Sequence, residues 1–280
     1  STDEPVPADD ELRPNDDDLL DDRDDNGLDE DEDDEQFESP FRSRPPIPTP
    51  RALDALAHGD VTILGRMPYS SNATFLVDVC HDGLLVQGIY KPHRGERPLW
   101  DFPSGLFRRE AAAFELAEHL GWCFVPPTVV REDAPLGEGS LQLFIPSHFQ
   151  QHYFTLREDE AHTHTLQRLC VFDIVANNTD RKSGHVLLGE DGRIWAIDNG
   201  LSFHAEFKLR TVIWDFAGDP IPNDIRDDVV RLLDEGLPAS LESALDPFER
   251  DATLTRARAI VREGRFPVDH TGRRYPWPLV

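Results

Sequence analysis

The sequence predicts an α+β fold of two lobes that follows a disordered acidic tail, and three observations support this prediction. Short apolar runs rich in β-branched residues, with one helical segment among them, occupy the chain from about residue 60 to 145. Longer helical segments with two short strands follow. Residues 1–40 contain 20 Asp or Glu residues against two Arg, a composition that buries too little apolar surface to fold. The 280 residues are enough for two lobes around a cleft.

These observations divide the chain into three parts. Residues 1–50 are predicted to be the disordered acidic tail and a proline-rich linker, since 41–50 reads FRSRPPIPTP. Residues 51–146 are predicted to form the β-rich N-terminal lobe, and residues 147–280 the mainly helical C-terminal lobe. Deleting residues 1–45 is expected to leave the melting temperature nearly unchanged. The acidic tail could bind a basic partner.

The elements follow from periodicity and turn signals. Strands are predicted over 61–65, 74–80 and 84–91, with a His-Asp-Gly turn before the last of them, and over 127–130 and 141–145. A helix is predicted over 104–120, with Ser104 as its N-cap and Gly121 after its end. Residues 159–176 and most of 223–264 are predicted to be helical, and 186–189 and 194–197 to be short strands.

Charge and cysteine usage exclude several classes of protein. Of the net charge of −26, residues 1–40 account for −18, so the remainder is mildly acidic and nucleic-acid binding is disfavoured. No stretch approaches the length of a transmembrane segment, and no secretory signal is predicted. The three Cys residues are widely spaced, without a C-x-x-C pair, which predicts a reduced, cytoplasmic protein.

Lys91 and Glu110 form the first candidate functional pair. Lys91 ends an apolar strand, where an ammonium facing a cleft could neutralise phosphate groups. Glu110 lies on the next predicted helix and could hold Lys91 through an ion pair. The alternatives are a solvated strand end for Lys91 and a dipole-stabilised first-turn acid for Glu110.

The second candidate constellation comprises the polar run 177–185, NNTDRKSGH, and the AIDNG stretch at 196–200. Asp180 lies five residues before His185, and Asp198 opens an Asp-Asn-Gly turn. Two carboxylates on loops that flank short strands can converge, and phosphoryl transfer needs positioning, a divalent cation and a carboxylate near the attacking hydroxyl. The alternatives are a surface ion pair for Asp180–Arg181 and an ordinary β-turn for 198–200.

Together these segments resemble the type II phosphatidylinositol 4-kinases and the wider phosphatidylinositol kinase-like group. The matching stretches, within residues 60–220, are SSNATFLV, GIYKP, REAAAFELAEHLG, GSLQLFIP, FDIVANNTDR and IWAIDNGLSF. The resemblance implies a two-lobed protein-kinase-like fold that binds ATP with Mg²⁺ or Mn²⁺. The residues that it assigns are Ser70, Ser71 and Asn72 in a phosphate loop, Lys91 and Glu110 at the phosphates, Leu143, Phe144 and Ile145 in a hinge beside adenine, Asp180 with Arg181 in the catalytic loop, and Asp198 at the metal.

Two departures from the family pattern leave alternatives open. His185 stands where the family has Asn, and an imidazole ligand would favour Mn²⁺ over Mg²⁺, with the preference fading below pH ~6. The cysteine-rich segment of the lipid-kinase relatives is absent from the sequence. The hydroxyl acceptor could therefore be phosphatidylinositol, a related inositol compound or a protein serine/threonine side chain. The other alternative is a pseudokinase that only binds nucleotide.

Overall fold

The computed structural model describes residues 39–68, 70 and 72–280. The predicted disorder of residues 1–38, and a basic partner for them, fall outside this range. The last two residues of the predicted linker, 41–50, belong instead to helix α1, Thr49–His58. Pro48 and Pro50 were part of the linker signal, but proline also suits the first turn of a helix, where backbone N–H groups are unpaired.

The first half of the chain forms a five-stranded antiparallel sheet. Its strands are β1 (Asp60–Arg66), β2 (Phe75–His81), β3 (Leu84–Pro92), β4 (Thr128–Arg131) and β5 (Gly139–Leu143), in the order β1-β2-β3-β5-β4. The β2–β3 turn is tight because Asp82 and Gly83 both adopt positive φ angles, of 46° and 74°. β5 ends at Leu143, so residues 144 and 145 of the predicted strand 141–145 belong to the connection that follows it.

Helix α2, Leu106–His119, packs against β4 and β5. Its apolar positions, such as Phe107, Ala113 and Phe114, are buried. Ser104 is not its N-cap: the carboxylate of Glu96 accepts the N–H groups of Gly105 and Phe107, both at 2.9 Å. An ionised acceptor reaching in from the preceding loop replaces the predicted local hydroxyl cap.

The second half is mainly helical. It contains α3 (Tyr153–Leu156), α4 (Thr163–Ala176), the hairpin β6 (Val186–Leu188) and β7 (Ile194–Ala196), α5 (Asn223–Glu235), α6 (Ala239–Ala244) and α7 (Pro247–Glu263). α7 packs against α4 and α5, and α6 packs against α2. Asp246 caps α7 in a reciprocal capping box with Glu249.

Two clusters of buried side chains form the core. One lies under the sheet, among residues such as Val77, Val86 and Leu141, and also takes in Trp195 of β7. The other joins α2 to the helical half. The fold is thus the predicted two-lobed α+β fold. Within the described residues, no helix has the length and apolar character needed to cross a membrane.

Candidate active site

A cavity of 430 Å³ lies between the sheet and the loops that flank β6 and β7. Its walls are the end of β3, the start of α2, the connection after β5, the loop after α4 and the end of β7. The site residues predicted from sequence that line it are Ser70, Asn72, Lys91, Glu110, Leu143, Phe144, Ile145, Asp180, His185 and Asp198. Segments more than 100 residues apart in sequence therefore converge on one cleft.

The ammonium of Lys91 lies at the centre of this cleft between two carboxylates. Nζ donates to Glu110 Oε1 at 2.5 Å and to Asp198 Oδ1. Burial alone would lower the pKa of Lys91, but the two carboxylates raise it above its ordinary value. Lys91 therefore carries a positive charge at neutral pH.

Glu110 joins helix α2 to the Asp-Asn-Gly turn. While Oε1 accepts from Lys91, Oε2 accepts the backbone N–H of Asn199 at 2.9 Å. A Cβ at Gly200 would lie 3.1 Å from Glu110 Oε1, so a larger residue here would press on this carboxylate. One buried carboxylate thus fixes both the cation and the turn that carries Asp198.

Asp198 projects into the cleft from a backbone with φ of +55°, a conformation that costs a non-glycine residue energy. Its Oδ2 lies 3.3 Å from His185 Nε2. The surrounding protein would by itself raise the pKa of Asp198, but Lys91 and His185 outweigh this and hold it below its usual range. Asp198 is therefore ionised, as a cation ligand has to be.

Asp180 lies on the loop that follows α4. Its backbone N–H donates to Asn178 Oδ1 at 2.9 Å, which fixes the turn, and its Oδ2 lies 3.3 Å from Lys182 Nζ. Burial raises the pKa of Asp180, and the Lys182 ammonium opposes this shift. The carboxylate is 30 % exposed, so a hydroxyl group can reach it from the cleft.

Arg181 is not placed as a catalytic side chain, and the prediction that it is one is corrected. Its guanidinium is fully buried, pairs with Asp173 of α4 at 2.9 Å, and donates to the carbonyl of Ile197 at 2.7 Å and to Asn199 Oδ1 at 2.6 Å. No atom of it is available to a substrate. Arg181 instead positions the loops of Asp180 and Asp198 relative to each other.

The segment after Asp198 is held by Asn177, the left-handed residue that ends α4. Asn177 Nδ2 donates to the carbonyls of His204 and Glu206, at 2.9 and 2.7 Å, and Oδ1 accepts from the N–H of Lys208 at 2.9 Å. These three hydrogen bonds therefore fix the course of the segment that follows Asp198.

The predicted phosphate loop is only partly described. Ser70 Oγ donates to the carbonyl of Asn72 at 2.7 Å, and Asn72 Oδ1 accepts the N–H of Arg97 at 3.0 Å. Both residues line the cavity, and Ser71 lies outside the described residues. The described part of the predicted phosphate loop is thus a turn at the cleft that is stabilised by hydrogen bonds of its own side chains.

The predicted hinge, Leu143 to Ile145, lines the other end of the cavity. The N–H groups of Leu143 and Phe144 donate to the carbonyls of Pro127 and Gln87, at 2.8 and 2.9 Å. Among the described residues, the N–H of Ile145 donates to none, although Ile145 is 93 % buried. An unpaired amide in an apolar wall is a donor for a ligand such as the edge of a nucleobase.

Asp198 and His185, the two side chains predicted to hold a divalent cation, both line this cleft. Within the described residues no group of three or more His, Cys, Asp or Glu side chains is arranged to bind a metal ion. Mg²⁺ and Mn²⁺ at phosphoryl-transfer sites take one or two carboxylates and complete their coordination with phosphate oxygens and water, so a single ionised Asp198 fits this donor set.

The imidazole of His185 contacts the carboxylate of Asp198, so its Nε2 atom is not a free metal ligand. Its Nδ1 accepts the N–H of Lys182 at 3.4 Å, so the neutral ring carries its proton on Nε2 and directs it at Asp198. Ligation through Nε2 would require this proton to move to Nδ1. Burial lowers the pKa of His185 to about 4, against the opposing effect of Asp198, so we expect the predicted Mn²⁺ preference to fade only at a pH well below 6.

We expect the metal preference to be independent of pH between 7.5 and 5.5, because His185 stays neutral over this range. His185→Asn should shift the preference towards Mg²⁺, since an amide offers oxygen to a hard cation. The measurement is the ratio of Mn²⁺ to Mg²⁺ affinities in the presence of ADP, for both proteins at both pH values. A wild-type ratio that falls at pH 5.5 would show that the pKa of His185 is near its ordinary value.

Sequence analysis missed two residues of this site. Lys182 pairs with Asp180, and Asn199 connects Arg181 to the backbone of β7 through Ala196 at 3.2 Å. A signal existed for Lys182, which is one of only three Lys residues among 28 basic residues. Nothing in the sequence distinguished Asn199 from an ordinary turn residue.

Comparison with known proteins agrees with this geometry. Residues 117–245 match the family described as phosphatidylinositol 3- and 4-kinase. Protein Rv2133c of Mycobacterium tuberculosis (strain ATCC 25618 / H37Rv) is 36 % identical over 260 residues, which cover 80 % of this chain and 93 % of that protein. The chain belongs to the phosphatidylinositol 3- and 4-kinase-like family and is a phosphotransferase.

A solved structure extends the likeness to the whole fold. The crystal structure of the Golgi casein kinase with Mn/ADP bound superposes with a TM-score of 0.52 over 83 % of this chain and 80 % of that chain. The sequence identity is 16 %, so the likeness concerns the fold alone.

Proposed function

We propose that this kinase binds ATP with Mg²⁺ or Mn²⁺ in the 430 Å³ cleft and transfers the γ-phosphoryl group to a hydroxyl acceptor. The observation that carries the proposal is the convergence of Lys91, Glu110, Asp180 and Asp198 on this cleft. The Golgi casein kinase, which shares the fold, has been crystallised with Mn/ADP, and this supports the choice of nucleotide and cation.

Each residue has a task that follows from its contacts. Lys91 exchanges part of its pairing with Asp198 for nucleotide phosphates, because its charge is fixed and Glu110 holds it in place. Asp198 holds the cation, which neutralises charge on the phosphates when it is bound. The Ile145 amide donates to the base, and Ser70 and Asn72 lie over the phosphates.

Asp180 orients the acceptor hydroxyl and accepts its proton as the oxygen attacks the γ-phosphorus of ATP and ADP leaves. The Lys182 ammonium opposes the rise in the pKa of Asp180 that burial causes. Residues 51–146 and 147–280 act as the two lobes around the cleft, although Trp195 packs with the sheet and α1 begins before residue 51.

For the acceptor we propose the inositol ring of phosphatidylinositol or of a related inositol compound. The family match supports this choice. The likeness in fold to the Golgi casein kinase supports a protein hydroxyl as the second candidate acceptor. A nucleotide-binding pseudokinase is the third candidate. It is favoured by the ion pair between Lys91 and Asp198, because this pair occupies the carboxylate that would bind the cation.

A panel of acceptors separates these functions. Purified protein is incubated with γ-labelled ATP and either cation, with phosphatidylinositol vesicles, free inositol or dephosphorylated casein. We expect label on an inositol compound. Label on casein alone would replace the proposed acceptor by a protein, and nucleotide binding without transfer to any of the three would favour the pseudokinase.

Lys91→Met is expected to weaken ATP binding about tenfold or more, because it removes the charge that faces the phosphates. Lys208→Met is the matched control, since Lys208 pairs with Asp101 and does not line the cavity. Calorimetry of ATP binding measures both. Equal affinities for Lys91→Met and wild type would remove Lys91 from the nucleotide site.

A further inference from the structure

We propose that residues 40–44, named here the hinge strap, hold the base end of the nucleotide site and that Phe41 is a positioning residue for the base. The proposal rests on the proposed nucleotide site and adds to it a segment that sequence analysis treated as linker. Three sets of contacts carry it.

The first set ties the strap to the sheet through Gln87 of β3. Gln87 Nε2 donates to the carbonyl of Pro40 and Oε1 accepts the N–H of Arg42, both at 2.8 Å. Gln87 is 96 % buried, and both ends of its amide pair with the backbone of the strap. Because the carbonyl and the amino group of this buried side-chain amide are both hydrogen-bonded to the strap, the strap has a defined binding position on the sheet.

The second set places an aromatic ring behind the cavity wall. Phe41 stacks on Phe144 with ring centroids 5.1 Å apart and ring planes 10° apart, and its centroid is 5.6 Å from that of Phe149. Phe144 and Phe149 both line the cavity, and Phe149 is 59 % exposed. Phe41 therefore fixes the rings that a bound base would meet.

The third set fastens the strap on both sides of the hinge. Arg44 Nη2 donates to the carbonyl of Phe144 at 2.8 Å, and the guanidinium of Arg42 pairs with Asp78 of β2 at 2.7 Å. Ser43 Oγ donates at 2.8 Å to Glu190, in the turn between β6 and β7. The strap thus spans the sheet, the hinge and the β6–β7 hairpin, and restrains the wall that carries Ile145.

These contacts lie at the base end of the cleft, whereas Lys91, Asp180 and Asp198 lie at the phosphate end. Loss of the strap should therefore weaken ligands that have a base and leave ligands that have only phosphates unaffected. This split distinguishes positioning of the base from a general contribution to folding.

The test compares ATP and inorganic tripolyphosphate as ligands of the full chain, each with Mn²⁺. Phe41→Ala is expected to weaken ATP binding by roughly threefold to tenfold and to leave tripolyphosphate binding within twofold. Phe41→Tyr should restore the affinity for ATP. Arg51→Ala, which removes an exposed side chain of helix α1 outside the strap, is the matched control and should leave both affinities unchanged.

Deletions test the strap as a unit. A chain that begins at residue 39 should bind ATP like the full chain, whereas one that begins at residue 45 should bind it as weakly as Phe41→Ala. If Phe41→Ala melts below the assay temperature, Phe41→Leu is measured in its place.

Three results would overturn the proposal. Unchanged ATP affinity in Phe41→Ala, with wild type binding ATP, would refute the strap alone. Equal weakening of ATP and tripolyphosphate would show that the strap acts on the whole fold and not on the base. Absence of ATP binding by the wild type would refute the proposed nucleotide site and, with it, this inference.

Discussion

Asp180→Asn is expected to lower phosphoryl transfer by roughly 10²–10⁴-fold while nucleotide affinity stays within about twofold. The amide keeps the shape of the side chain, and the backbone turn made with Asn178 does not depend on the carboxylate. What is lost is the acceptor for the hydroxyl proton. Asp180 lines the cavity but makes no hydrogen bond to Lys91, so binding and transfer are separable.

Single-turnover transfer and calorimetric affinity for ATP should be measured on the same preparation. Asp227→Asn is the matched control, since Asp227 is exposed on α5 and distant in sequence from the loops of the cleft. Parallel losses of affinity and transfer in Asp180→Asn would refute the assignment of Asp180 to the acceptor.

Arg181→Met is expected to lower the free energy of unfolding by about 3–5 kcal/mol, the usual cost of breaking a buried ion pair from one side. Asp173 would be left as a fully buried carboxylate, and burial already raises its pKa despite Arg181. Asp173 would keep only its bond from Thr211, at 3.1 Å. Because Arg181 also holds the Ile197 carbonyl, the turn of Asp198 should loosen.

Urea denaturation measures this effect. Arg108→Met is the control, because its pair with Glu138 is about half exposed and should contribute no more than about 1 kcal/mol. The double variant Arg181→Met with Asp173→Leu should recover part of the loss, since neither charge then remains unpaired. A loss below about 1 kcal/mol in Arg181→Met would show that the ion pair does not hold the loops together.

The resemblance to the phosphatidylinositol kinase-like group named most of the residues that line the cleft. Periodicity by itself indicated only where Lys91, Glu110 and Asp198 lie: at a strand end, on a helix and in a turn after a strand. The sequence order of these elements then brings them together. The fold class was predicted for the same reason and is confirmed by the sheet, the two cores and the likeness to a solved kinase.

Burial and long-range pairing were not predictable in this way. In the sequence, Arg181 next to Asp180 looks like half of a surface ion pair. Its burial becomes evident only from its contact with Asp173, which lies eight residues earlier on an apolar helix. The residues of the hinge strap pair with partners up to 147 positions away, which no local pattern reports. Proline-rich composition predicted a linker there, although proline also begins helix α1.

The neutral state of His185 also could not be predicted from the sequence. Its ordinary pKa placed the loss of its lone pair near pH 6, but the walls of the cleft lower that pKa to about 4. The Lys182 amide, which selects the tautomer, comes from the same turn and becomes visible only when the turn is built.

The most direct test of the account is an anomalous difference map, recorded at the manganese edge, from crystals grown with ADP and Mn²⁺. The account predicts a peak in contact with the carboxylate of Asp198, with ADP phosphates beside Lys91 and the base against Ile145 and Phe144. A manganese peak away from Asp198, or ADP bound outside this cleft, would contradict it.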